Sequence, residues 1–558
     1  MSAREFVANW WRLAVLVLLV TVAVYALFVP GGMFGSTDAV PGSDNASANA
    51  TEDESFHNLV FGLQLDGGAR ISAPIVGMTV EDVTLDHGGT PDQAGTDLET
   101  SVRESLRTEY ETVEAADVEV RYDQEDDDYS VEVFDANVSQ ASFAEALSAQ
   151  GHDVSEDDVE DGVTPATRER MVEVIQNKLN EAGLSGGQAY TTQTGGGYYI
   201  VAEAPGYGSE ELRALLEERG TVEVRAYVPD GNGSQRNITV LQQEDFDTIS
   251  GAQWDNQNGH HVDVSVHADG TAEEYESRMN DIGFTTEGAG QKCSVPRTAD
   301  GSYDFSAAQG EQWCLLTVSD QEVVSALSLN PNLAQSMENE QWHTDPQYVM
   351  VIGGEEDDQE AYQQTREISI NLRAGALPAP LDFGEAQIMS VAPTLADQFK
   401  SNSLLVGILA VFAVSGMVYL RYRNPIVALP MIVTALSEVV ILLGVAAAAE
   451  MALTLAHVAG FIAVVGTGVD DLVIIADEVM DQGRVSQGRV FDSRFRKAFW
   501  TIAAAAATTI IAMSPLAVMP LSDIKGFAII TILGVLVGVF VTRPAYGNIL
   551  RKLLTSEE

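Results

Sequence analysis

Three carboxylates and one imidazole lie inside runs of sequence that are otherwise apolar: Glu438, the adjacent Asp470 and Asp471, and His457. A charged side chain at the centre of a hydrocarbon layer costs about 2.5–3.5 kcal/mol on insertion scales, so such residues are functional by default. The chemistry open to a shielded carboxyl is the gain and loss of a proton or the exchange of a monovalent ion. Either would tap a membrane potential, since one charge crossing about 100 mV is worth about 2.3 kcal/mol. The interiors of these runs contain no Lys or Arg. The carboxylates are therefore expected to be protonated, hydrated or paired with a cation from another chain. Plainer roles compete with ion coupling: Asp471, and less readily Asp470, as a solvated residue at a helix end, Glu438 as a neutral packing residue, and His457 as a polar group facing a neighbour. Gly466 and Gly468, just before the Asp pair, are expected to let a neighbouring helix approach closely.

The elements that must hold these residues are membrane spans. Six stretches are long and apolar enough to cross about 30 Å of hydrocarbon as helices. They are residues 13–29, 403–420, 425–449, 453–476, 498–519 and 527–541. The first is flanked by Trp10-Trp11-Arg12, an interfacial anchor, and reads as an uncleaved span rather than a signal peptide. Basic residues cluster at Arg421 and Arg423, from Arg484 to Lys497, and at Arg543, Arg551 and Lys552. With Arg4 and Arg12 these mark the cytoplasmic side, so residues 1–12, the loop 477–497 and the tail 542–558 are expected inside the cell. The polar region before the second span is then outside, and the five Asn-x-Ser/Thr sequons, at Asn45, Asn49, Asn137, Asn232 and Asn237, all fall within it.

In that external region residues 30–56 read as a flexible linker rich in Ser, Asn, Ala and Gly. Residues 57–228 and 326–402 share one texture, expected to be a base domain, and 229–325 another, expected to be an inserted head. Within 165–228 the pattern is helix, strand, helix, strand, the order of a split βαβ sandwich. The two cysteines, Cys293 and Cys314, lie in the head. Outside the cell a bridge between them, closing a loop of about 20 residues, would contribute about 3 kcal/mol; inside, two reduced core thiols would serve. No metal-ligand set, nucleophile triad, phosphate loop or dinucleotide fingerprint stands out, so the expectation is a non-enzymatic protein without metal or cofactor.

The 558 residues include 82 acidic and 30 basic side chains, a net charge of -52. That field repels nucleic acid. Acidic residues alternate with groups such as Tyr198, Tyr199, Ile200 and Val201, which indicates a folded surface suited to high salt, where counterions screen the repulsion.

Several runs carry a family resemblance. Residues 372–381 (LRAGALPAPL), with Arg373, Gly375 and Pro378, resemble the signature loop of SecD in the SecD/SecF family of the RND superfamily. Residues 62–68 (GLQLDGG), with Asp66, Gly67 and Gly68, resemble its early motif after span one. Residues 391–395, 453–455, 524–528 (with Lys525 and Gly526) and 541–543 fit in order. The resemblance implies a multi-pass α-helical membrane protein of six transmembrane helices, half of an RND-type transporter. It also implies a large extracytoplasmic α+β domain made of a ferredoxin-like base and an inserted head. The implied partners are SecF, which would supply six more helices and an Arg as counter-cation, the SecYE-type translocon, unfolded secretory polypeptides and membrane lipids. The implied function is assistance to Sec-dependent translocation, coupled to a proton or Na+ gradient through an Asp of span four, the position of Asp470. The usual Val-Asp-Ala-Asn reads Val469-Asp470-Asp471-Leu472 here, and Glu438 lies outside the bacterial pattern, departures that suggest an archaeal branch. A non-energised translocon scaffold and an RND-type exporter of lipids or small molecules are the alternatives.

Overall fold

The computed structural model describes residues 3–29, 57–85, 91–480, 488–519 and 522–554, apart from 111, 114–116, 125–126, 185, 195–196, 218, 231–233, 269, 287, 299–301, 309, 345, 356–357 and 424. The expected linker, sequons Asn45, Asn49 and Asn232, part of the loop 477–497 and the last residues of the tail lie outside the described residues.

Backbone groups in hydrocarbon must be satisfied within their own segment, so long apolar runs become helices. Among the described residues six helices have the length and composition to cross a membrane. Span one is Ala3–Phe28, span two Pro393–Tyr422, span three Pro425–Ala448, span four Leu455–Met480 and span five Gly488–Val518. Span six starts as Ser522–Val537, passes through a π-turn at Gly538–Thr542 and continues as Arg543–Leu554. Pro393 opens span two in its first turn, where the missing N–H would have had no helical partner. Spans three, four and six are the inner helices, with span one against span three. Spans two and five are mostly exposed, presenting Leu404, Phe412, Trp500 and Ile511 outward.

Small residues set the close approaches between spans. A β-carbon on Gly460 would meet Ile530 at 3.0 Å, and Gly444 and Gly534 lie still more tightly against Ala23 and Val464. Gly466 has open space around it instead, whereas Gly468 faces the Glu438 carboxylate of span three. The expected end of span six at residue 541 is also corrected. The helix runs on and buries Thr542 and Arg543, because carboxylates on two other spans receive the Arg.

Outside the bundle the described residues form cores in a base, in a separate unit at 78–161 and on both faces of a head sheet. The base is an antiparallel sheet ordered Gln387–Val391, Gly68–Pro74, Gly197–Pro205, Gln188–Thr194. Helices Pro165–Glu181 and Ser209–Glu217 cover it, with Met171, Ile175, Leu179 and Leu212 facing Ile71 and Ile200. Between the base strand Gly68–Pro74 and helix Pro165–Glu181, residues 78–161 fold as their own sandwich, with four strands under helices Pro91–Arg107 and Gln140–Ala149. Glu132, fully buried, ties this unit to the base by accepting from the Thr164 N–H (2.6 Å) and the Thr167 hydroxyl (2.6 Å) at a helix N-terminus.

Sheet pairing draws the head more widely than residues 229–325. Strand Val222–Pro229 pairs with Gln235–Leu241 and Cys314–Ser319, and Gln347–Gly353 pairs with Gly259–Val266. The fourth element of the expected helix–strand order thus leaves the base for the head, a choice that long-range pairing makes and local pattern does not. Cys293 and Cys314 are joined, S–S 2.02 Å, against Leu316, Val318 and Phe305. Replacing both by Ser is expected to lower head stability by about 3 kcal/mol through the freed loop. Melting of the full chain with and without reductant measures this; equal melting temperatures would contradict it.

Candidate functional site

The site lies where spans three, four and six meet. Glu438 sits midway along span three, 2 % exposed, and Arg543 on span six is 1 % exposed. The guanidinium Nη1 donates to both Glu438 oxygens, at 3.1 and 3.0 Å. Its Nε and Nη2 donate to Asp471 Oδ2, at 3.2 and 2.9 Å. The Thr542 hydroxyl donates to Glu438 Oε2 at 2.7 Å. Arg suits this place because its planar fork, always charged, can serve two carboxylates at once. The local backbone makes the space: a β-carbon on Gly538 would fall onto the Arg543 guanidinium. The π-turn that begins at this glycine accommodates one extra residue per turn, a feature found at functional sites.

The two vicinal acids therefore have different fates. Asp471 turns inward onto Arg543, whereas Asp470, about 100° around the helix, stands on the exposed face with Gly466 and Thr467. Among the described residues Asp470 has no ion pair or hydrogen bond. This corrects two expectations. Cations are present inside the spans, since Arg543 is one, and Glu438 and Asp471 receive their counter-charge from their own chain.

His457 is not part of this cluster. It lies at the far end of span four, about 20 Å along the helix from Asp470. Its Nδ1 accepts from the Thr454 N–H at 3.1 Å, and its ring packs over Gly526. Lys525 beside it is exposed.

The external motifs form a joint at the same end. The Gly62 N–H donates to Leu453 O (2.8 Å), and the Leu455 N–H donates to Gln64 Oε1 (3.2 Å), so residues 62–64 cap the start of span four. Asp66 pairs with Lys400 of span two at 3.2 Å. Gly67 (φ +78°) and Gly68 (φ +121°) then lead into the central base strand, Gly67 against Val391 and Pro393 and Gly68 against Ala204 and Pro205. In the signature loop Gly375 (φ +90°) ends its helix, Arg373 pairs with Glu181 (2.6 Å), and the carbonyls of Leu377 and Pro378 accept from Arg219. Arg219 also reaches Asp117 at 2.7 Å, which ties the loop to the 78–161 unit.

Sequence reasoning missed Arg543 as a site residue, along with Gly538, Gln64 and Arg219. A signal for Arg543 exists in the sequence: Glu438 lacks a partner within its own span, and residues 541–543 fit a family motif at a span end. Among the described residues no group of His, Cys, Asp and Glu is arranged to hold a metal ion.

Residues 378–554 match the family model "Protein export membrane protein SecD/SecF, C-terminal". The chain is similar to the protein-export membrane protein SecD of Haloferax volcanii, 46 % identical over 98 % of both chains. It is 43 % identical to the Haloquadratum walsbyi protein of the same description, again over 98 % of both. With a solved SecDF structure from Thermus it aligns over 99 % of this chain and 60 % of that chain, at 16 % identity and a TM-score of 0.45. The haloarchaeal relatives match the acidic surface. With six helices able to span a membrane among the described residues, a β-rich region outside the bundle and near-complete coverage of relatives dedicated to protein export, the chain belongs to the SecD family of protein-export membrane proteins.

Proposed function

We propose that this export protein is the larger half of an ion-driven translocation motor, that its missing half is a SecF-type subunit, and that Asp470 is the coupling group. The observation that carries this is the unequal treatment of the two acids. Asp471 is neutralised within the chain, while Asp470 is left bare on the outer face of a membrane span. Left against lipid, that charge would cost about 2.5–3.5 kcal/mol; a companion chain with a cation or a proton path opposite it removes the cost. The same outer face, with the exposed spans two and five, offers the surface for such a chain. Neither bond-making chemistry nor a cofactor enters this reading.

The basic residues at Arg421 and Arg489 to Lys497 support cytoplasmic termini and a region 57–402 on the outer side. The Cys293–Cys314 bridge supports the same side, since disulfides persist in oxidising compartments. The base and head would then meet unfolded polypeptide emerging from the translocon, and span four would pass its movement to the base through the Gly62–Leu453 and Gln64–Leu455 joint.

The test is Asp470→Asn, with membrane levels of both subunits held equal. One charge crossing about 100 mV is worth about 2.3 kcal/mol, close to fiftyfold in an equilibrium, so export is expected to fall by at least tenfold. Unchanged secretion would leave a passive scaffold, for which the self-neutralised Glu438–Arg543–Asp471 set is sufficient.

A further inference from the structure

Arg543 does more than neutralise. Its guanidinium grips span four from inside through Asp471 and span three through Glu438, and it grows from the residue after a π-turn. Asp470 and Asp471 are adjacent, so their directions differ by about 100°, and a rotation of span four by a fraction of that angle changes which acid faces outward. Beside the acids the packing of this helix is apolar: Val464, Val469, Leu472 and Ile475. Its other polar ties lie beyond them: Val473 O and Asp477 on Tyr422, Asp477 on Arg421, Glu478 on Lys497 and Leu455 on Gln64. Among the contacts beside the acids, the two charge-assisted hydrogen bonds from Arg543 to Asp471 Oδ2 are the strong, directional ones. Close to the acids Gly466 touches nothing, and Gly468 offers no side chain to hold the helix.

From this we infer that Arg543 is a positioning residue: its grip on Asp471 and Glu438 sets the rotation of span four, and so presents Asp470 to the outer face. The inference rests on the reading of Asp470 as the coupling group, yet the rotation it describes is measurable without export. The π-turn joins the device, since re-registering Gly538–Thr542 as α-helix would carry Arg543 away from both carboxylates.

The two native cysteines are bonded to one another, so single thiols can be introduced without interference. Nitroxide labels are placed on the full chain in lipid nanodiscs through Gly466→Cys, Thr467→Cys, Val469→Cys, Leu472→Cys, Val473→Cys and Ile474→Cys, one at a time, with Asp470 and Asp471 left in place. Oxygen accessibility along the series gives the rotational phase of the helix. With Arg543 present, position 467 is expected to exceed 469 by about threefold, as for a lipid face against a packed face. In Arg543→Gln the phase is expected to move by about 30° or more of the 100° per residue, and in Arg543→Lys by less. Should Arg543→Gln not fold, the uncharged triple variant Glu438→Gln/Asp471→Asn/Arg543→Gln takes its place, with the same shift expected. A phase unchanged in whichever of the two folds overturns the inference. Intact export in Asp470→Asn would instead remove the coupling role and leave the rotational result standing.

Discussion

Arg543→Ala is expected to destabilise the bundle by about 3–5 kcal/mol, the loss seen when one member of a buried ion pair is removed and its partner charge stays behind. Here two partners stay behind. Glu438 is 2 % exposed and would keep only the Thr542 hydroxyl, and Asp471 would lose the Nε and Nη2 donors of Arg543. Neutralising the remaining acids is therefore expected to restore stability, since replacing a whole buried ionic set by neutral groups is often nearly cost-free. The triple variant Glu438→Gln/Asp471→Asn/Arg543→Gln should melt above Arg543→Ala, although it carries more substitutions. That inversion is the signature of a desolvated network, because independent sites would add their losses. Melting of the purified chain in detergent, with membrane yield as a second measure, decides it. Additive losses, or an Arg543→Ala chain as stable as the native one, would mean that the guanidinium is reached by water.

The second large effect is expected outside the membrane. Gly68 has φ +121°, a conformation costly for any side chain. A β-carbon there would overlap the Ala204 carbonyl and lie 2.8 Å from Gly206 N and 2.9 Å from Pro205 Cα, backbone atoms at the end of the paired strand and just past it. Backbone cannot swing aside as a flexible side chain can, so Gly68→Ala adds about 1–3 kcal/mol of overpacking to a left-handed strain of about 1 kcal/mol or more. The strand that would move is the centre of the base sheet, and it follows directly on the joint with span four. Gly68→Ala is expected to expose the base to protease and to abolish export. Gly206→Ala is the control: its φ is also positive (+75°), but its β-carbon would meet only Asp66 Oδ2, at 3.9 Å. Equal protease resistance in the two variants would show that strain alone, not the strand contact, limits this position.

The adjacent glycines of this motif show how much local sequence can convey. Gly67-Gly68 is legible as a turn, and the family pattern marks it as important, but its reason is contact with distant backbone, Gly67 with Val391 and Pro393 and Gly68 with residues 204–206. The head shows the same limit. Strand Val222–Pro229 was readable as a strand from its alternation, yet its membership of the head rather than the base depends on partners nearly a hundred residues away. Cys293 and Cys314 were readable as a possible pair, because two cysteines allow one bridge, and the fold supplies the proximity.

By itself the sequence determined that this is a membrane protein with six apolar spans and a large acidic part between the first and second, and that Glu438, Asp470 and Asp471 lie in those spans. Hydropathy and charge are properties of each residue, and a bilayer reads them along one dimension. Tertiary structure alone decided which acid meets a cation. Arg543 looked like a flanking residue because a window along the chain sees only neighbours in sequence, whereas its partners stand on two other helices. Rotation of a helix about its axis is invisible to hydropathy, and it is this rotation that turns Asp471 inward and leaves Asp470 outward.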